Sequence, residues 1–311
     1  MNPVDIPVPG ESRPIPVEAT ALQIQVGYAL VYRCPTPTPM ILTLSINDSR
    51  AADLIQPDRL VLTPEVPVQT YRDSYGNCCS RILAPAGLIT LRGNGVVADS
   101  GLPDPVLPWL DQEPVQTLPE EVLLFLLGSR YCETDLMSET AWQLFDGVAP
   151  GWQRVQAICD FVHSHISFNY GQTSPTKTAH QVFRDQEGVC RDFAHLAVTL
   201  CRCMNIPARY CMGYISDIGE PEPYSEMDFA AWFEAYLGGG WHVFDPRNNK
   251  PRIGRILIAR GRDAADVALT TSFGRATLES FKVWTDEQKD EEKGEPTDQR
   301  AAEAGQANLS N

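Results

Sequence analysis

From Leu22 the chain reads as a strand: in LQIQVGYALVY, residues Leu22, Ile24, Val26, Tyr28, Leu30 and Tyr32 fall at every second position, the period of a backbone with one face in a core. Shorter runs of the same kind follow in MILTLSI, VPVQTYR and SRILAPAGLITLRG, parted by Pro, Asn, Asp and Gly, which break strands into turns. The period then changes. LPEEVLLFLLGS and GWQRVQAICDFVHSHISF carry apolar residues three and four apart behind Pro or Gly, which predicts helices. A further helix is predicted in VCRDFAHLAVTLCRCMNIP, with a stripe of Phe193, Leu196, Ala197, Leu200 and Met204 and a stop at Pro207. Strand-like ARYCMGYI, AAWFEAYL and WHVFDP follow, and ALTTSFGRATLESFKVW is expected to close the same unit.

This order predicts an α+β chain with four parts: an extended proline-rich arm over 1–20, a small β-sandwich-like domain over 21–110, a helix-and-sheet domain over 111–284, and an acidic disordered tail over 285–311. With 311 residues, 43% of them hydrophobic, the chain can bury a substantial core. A formal net charge of −15 argues against nucleic acid and anionic membrane as partners, since both favour basic surfaces. The nine cysteines are odd in number and follow no disulfide framework, so buried free thiols and a reducing cytoplasm are expected. The first residues lack a basic start and an apolar run, and no segment approaches the ~20 apolar residues of a membrane helix.

Candidate chemistry centres on Cys190. Gly188 offers a tight turn ahead of it, and the thiol falls in the first turn of the predicted helix. There it faces the positive end of the helix dipole, which favours thiolate and lowers its pKa. Backbone N–H groups at the same helix start suit an oxyanion. Asp192, in that first turn, is expected to complement the dipole.

The stretch GVCRDFAHLAVTLCRCMNIPARYCMGY is similar to the cysteine motif of the bacterial transglutaminase-like cysteine protease family. AWFEAYLGGGWHVFDPRNN is similar to that family's second motif, and the two agree in order and spacing over about Gly151 to Gly274. The resemblance implies a papain-like core in which a cysteine-bearing helix packs on an antiparallel sheet. It implies Cys190 as nucleophile, Asp245 as the acid of a Cys-His-Asp triad, and a peptide or protein substrate presenting a peptide or glutamine-like amide. The N-terminal β region resembles the extra domain that precedes this core in bacteria. Animal transglutaminases require calcium; no acidic loop suited to it is evident here, and no metal or other cofactor is expected.

The family's triad histidine stands two residues before the motif's Trp, and here that place holds Ala230, followed by Ala231 and Trp232. Alanine can neither take the thiol's proton nor give one to the leaving amine. His242 is three residues before Asp245, an odd interval, so on a regular strand it points to the other face. His195, five residues after Cys190, lies about 500° around the helix, off the thiol's face, where packing or a surface hydrogen bond is expected. No motif places His163, His165 or His180 at the site. Trp232 is a candidate cleft wall or a core residue, and the basic run around PRIGRILIARGR suits either a substrate carboxylate or surface ion pairs. Two readings stand open: a cysteine hydrolase or acyltransferase impaired at position 230, and a noncatalytic peptide- or protein-binding module.

Overall fold

The computed structural model describes residues 22–172, 174–224 and 227–288. The predicted arm and residues 289–311 of the predicted tail lie outside the described residues. Among the described residues seven strands come first: β1 (Leu22–Cys34), β2 (Thr38–Leu42), β3 (Leu54–Gln56), β4 (Val61–Thr63), β5 (Gln69–Arg72), β6 (Cys78–Ala84) and β7 (Gly87–Asp99). The alternation read in β1 is the burial pattern found, with Ile24, Val26, Tyr28 and Leu30 all buried. These pack with Ile89 and Leu91 of β7 against Met40 and Leu42 of β2 and Ile82 of β6, forming one core between two antiparallel sheets. Each such aliphatic side chain contributes ~1.5–3 kcal/mol on burial.

The helical region follows, with α1 (Glu120–Leu123), α2 (Thr134–Phe145), α3 (Trp152–His165), β8 (Ser167–Phe168), α4 (Ala179–Asp185), β9 (Glu187–Gly188) and α5 (Cys190–Cys203). The run at LPEEVLLFLLGS makes one turn of α-helix and then a 3-10 turn, because only Leu118, Val122 and Phe125 of it are buried while Leu123, Leu124 and Leu127 face water. A four-stranded antiparallel sheet completes this half, with β10 (Ala208–Ile215), β11 (Ala230–Leu237), β12 (Gly240–Phe244) and β13 (Arg255–Gly261) in the order β12-β11-β10-β13. Every residue of β10 is buried. Leu196 and Leu200 of α5 meet Phe233, Ala235 and Leu237 of β11 in one apolar cluster, seating the helix on the sheet. No helix among the described residues is long and apolar enough to cross a membrane.

Two expectations are corrected at the C-terminal end. The segment that was to close the second unit returns to the first, as β14 (Thr270–Ser272) pairs with β2 and β15 (Thr277–Glu287) pairs with β1 along its length. Residues 285–287 are therefore strand rather than tail. The partner decides this: β1 has β7 on one side only, and the free edge supplies the hydrogen bonds that an acidic, weakly apolar segment cannot supply for itself. The halves are also sewn together by Asn77, which donates to Arg260 O at 2.8 Å and accepts from Arg260 N at 2.9 Å.

Candidate active site

The turn before α5 is built around Gly188. A Cβ there would lie 2.7 Å from Asp192 Cβ, so only glycine lets the carboxylate fold back. Asp192 is fully buried and accepts the Val189 N–H at 3.0 Å, satisfying a donor that the helix start leaves free. Arg191 pairs with the same carboxylate at 2.9 Å and donates to Ser174 O at 2.6 Å. The cap fixes where Cys190, the first helical residue, presents its sulfur.

The half-buried Cys190 lines a cleft of about 230 Å³ whose other walls include Phe168, Asp228, Ala230, Arg247 and Asn248. Its thiol pKa is pushed up to about 11, first by burial and then by the negative charge of Asp228, while the backbone N–H groups of Ala231 and Arg191 and the Arg247 guanidinium pull the other way. The lowered pKa expected from the helix dipole is thus overturned. A dipole effect is worth ~0.3–1 kcal/mol, and desolvation of a thiolate exceeds it. At neutral pH the sulfur carries its proton.

Position 230 opens β11, and Ala230 lines the cleft while also packing against the cluster of Cys211, Ile215, Trp232 and Leu257. None of the five histidines lines the cleft. His242 points to the opposite face as its parity predicts, with Nε2 3.1 Å from Leu237 O and the ring edge-on to Trp152. His195 is fully buried, accepts the Ala264 N–H at 3.1 Å and stacks on Tyr131; burial holds its pKa well below the ordinary value. His165 is bound to Phe183 O at 2.8 Å, and His163 lies 2.9 Å from Arg247 O, behind the turn that follows β12. His180 lies in the first turn of α4.

Asp245 is buried immediately after β12 and holds no imidazole. It accepts the Asn248 backbone N–H at 3.0 Å and the Asn248 side-chain amide at 2.7 Å, and it pairs with Arg255 Nη2 at 3.1 Å. Asn248 in turn accepts from Arg247 Nη1 at 2.9 Å, and the Arg247 guanidinium lies 4.4 Å above the Phe168 ring. Cys190 and position 230 thus share the cleft, whereas Asp245 stands one hydrogen bond behind its wall. Trp232 is 1% exposed beneath Arg255, so it is a core residue rather than a cleft wall. The cleft's charged residues Asp228 and Arg247 escaped sequence reasoning, although Arg247 lies inside the second motif and Asp228 just ahead of it. The signal was their position on either side of Ala230 and Asp245.

Residues 139–246 match the family model of the transglutaminase-like superfamily. An uncharacterised protein of Mycobacterium tuberculosis is 27% identical over 220 residues, spanning 64% of this chain and 69% of its own length. An uncharacterised protein of Mycobacterium leprae is 32% identical over 117 residues, 37% of this chain and 42% of the relative. Among solved structures, a candidate cysteine protease from Cytophaga hutchinsonii superposes with a TM-score of 0.75 at 28% identity, covering 86% of this chain and 91% of that one.

Proposed function

This chain belongs to the bacterial transglutaminase-like family, and from that premise we propose that its cleft binds a peptide or glutamine-type amide against Cys190, with acyl transfer impaired by Ala230. The reaction class is attack of sulfur on the amide carbonyl, departure of the amine and transfer of the acyl group from a Cys190 thioester to water or an amine. The N–H groups at the start of α5 suit the oxyanion of that step. Two proton transfers are needed, one from the thiol and one to the leaving amine.

The observation that carries the reading is the composition of the cleft: a cysteine at a capped helix start, a methyl group at position 230, and no imidazole among the described lining residues. A thiol pKa of about 11 instead of 9.0 lowers the thiolate population at neutral pH by about a hundredfold. Loss of the triad histidine costs on the order of a million-fold in a serine hydrolase, and somewhat less for a thiol. Slow chemistry or none is the consequence.

The second reading, noncatalytic recognition of a peptide or protein, is favoured by one observation: Asp245, the residue that orients the imidazole in the family, is committed to Asn248 and Arg255. Ala230→His separates the two. Hydrolysis or amine incorporation gained on a panel of peptide amides, and lost again in Ala230→His/Cys190→Ser, supports impaired acyl transfer. The gain is expected to be partial, because Asp245 must leave Asn248 to orient the new ring. Silence across the panel leaves the binding module as the function.

A further inference from the structure

The turn after β12 is fastened on several sides. Asn249 N–H donates to Asp245 O at 2.7 Å, the Asn249 amide donates to Asp160 at 2.8 Å, and Gln156 donates to Asn249 Oδ1 at 3.0 Å. His163 Nδ1 sits 2.9 Å from Arg247 O and 3.2 Å from Pro246 O, so the ring holds the turn's carbonyls from α3. On this turn the carboxylate that serves an imidazole elsewhere in the family grips Asn248 twice, and Asn248 presents its Oδ1 to Arg247. The Phe168 ring supports the guanidinium from below. Arg247 is thereby held in one place with most of its donor edge uncommitted, and it forms no ion pair among the described residues.

The other charges of the cleft have contacts of their own. Arg252 is paired with Asp217 and Glu220, both at 3.3 Å, and Glu220 also holds Lys250 at 2.6 Å. Asp228 accepts the Phe229 N–H at 2.6 Å, and burial raises its pKa. A guanidinium keeps its charge throughout, matches a carboxylate with two parallel N–H donors, and binds most strongly when its geometry is set in advance.

We propose that Arg247 is the carboxylate-binding residue of this cleft and that Asp245, acting through Asn248, positions it. The ligand is then a peptide bearing a carboxylate close to Cys190, from either a free chain end or an acidic side chain. This rests on the reading of the cleft as a peptide site, yet it concerns binding and needs no turnover.

The test uses the full-length chain as Cys190→Ser, with calorimetric titration of two matched pairs: acetyl-Ala-Ala with a free carboxylate against its amide, and acetyl-Ala-Glu-amide against acetyl-Ala-Gln-amide. In one pair the carboxylate is expected to bind at least about tenfold more tightly, as a charge-assisted bidentate contact permits, and the pair that responds identifies the source of the charge. Arg247→Gln should abolish the preference, Arg247→Lys keep part of it, and Asn248→Ala reduce it severalfold without loss of cooperative melting. Asp245→Asn should do the same, and Asn248→Ala carries the test if that variant fails to fold. Arg184→Gln, an exposed cation on α4, should leave the preference in place. Equal affinities, no binding of any probe, or a preference that survives Arg247→Gln overturns the proposal. A carboxylate preference with Ala230→His silent on amides sinks acyl transfer alone; turnover gained without the preference sinks this inference alone.

Discussion

Arg255 and Asp245 form a buried ion pair, Nη2 to Oδ2 3.1 Å, behind the wall of the Cys190 cleft. The same guanidinium reaches Asp104 at 2.9 Å and lies 4.8 Å over the Trp232 ring. Both carboxylates raise the pKa of Arg255 against the opposing effect of burial. One cation thus bridges a carboxylate from the linker after β7 and one from the end of β12.

Arg255→Met is expected to be strongly destabilising, because it leaves Asp104 and Asp245 facing one another without a counter-charge. Breaking a buried pair from one side costs about 3–5 kcal/mol. Urea denaturation would read this as a lower midpoint at unchanged slope. A loss below ~1 kcal/mol would show that solvent reaches the carboxylates freely. Arg255→Lys should recover only part, since an ammonium offers neither the forked donors nor the stacking face.

Iodoacetamide alkylation of Cys190 across pH should follow a thiol titrating near pH 11 rather than 9.0. Asp228→Asn removes the like charge that adds to the shift, so it should move the titration down. An upward shift, or none, would place Asp228 outside the electrostatic reach of the sulfur. The thiolate fraction at neutral pH rises about tenfold for each unit of descent.

Gly188→Ala should disturb the nucleophile turn without touching the thiol. The new methyl would meet Asp192 Cβ at 2.7 Å and Oδ2 at 2.9 Å, forcing the cap to yield. Overpacking of this kind costs about 1–3 kcal/mol. A melt unchanged within error would show that the Asp192 cap tolerates displacement.

Asp58 gives the fold a pH dependence remote from the cleft. Burial raises its pKa from 3.8 to about 6, although it accepts the Ile46 N–H at 2.6 Å. Between those values the folded chain keeps a proton that the unfolded chain has released. The group's contribution to stability is therefore fully present below about pH 4 and lost as pH rises through about 6. Asp58→Asn should flatten that slope by ~2–3 kcal/mol, at 1.36 kcal/mol per unit of pKa. Denaturant midpoints at several pH values check it, and an unchanged slope would refute the assignment.

Much was legible where one rule governs each residue. The alternation over Leu22–Tyr32 shows directly as β1, and the helix predicted from the stripe Phe193 to Met204 shows as α5, although every residue from Asp192 to Cys203 is buried rather than one face alone. Parity placed His242 away from Asp245 with no knowledge of the fold. Where contacts are distant, the reading failed: α2 was not foreseen, and the segment after Thr270 joined β1 and β2, more than two hundred residues upstream.

By itself, the sequence determined the order of strand and helix, the cysteine at a glycine-led helix start and the missing imidazole at position 230, because period, turn chemistry and residue type are local properties. Only the tertiary structure decided that the thiol stays protonated and that Asp245 serves Asn248 and Arg255. Those outcomes depend on how much water the surrounding elements exclude and which charges they bring within reach, and neither quantity is carried by any short stretch of chain.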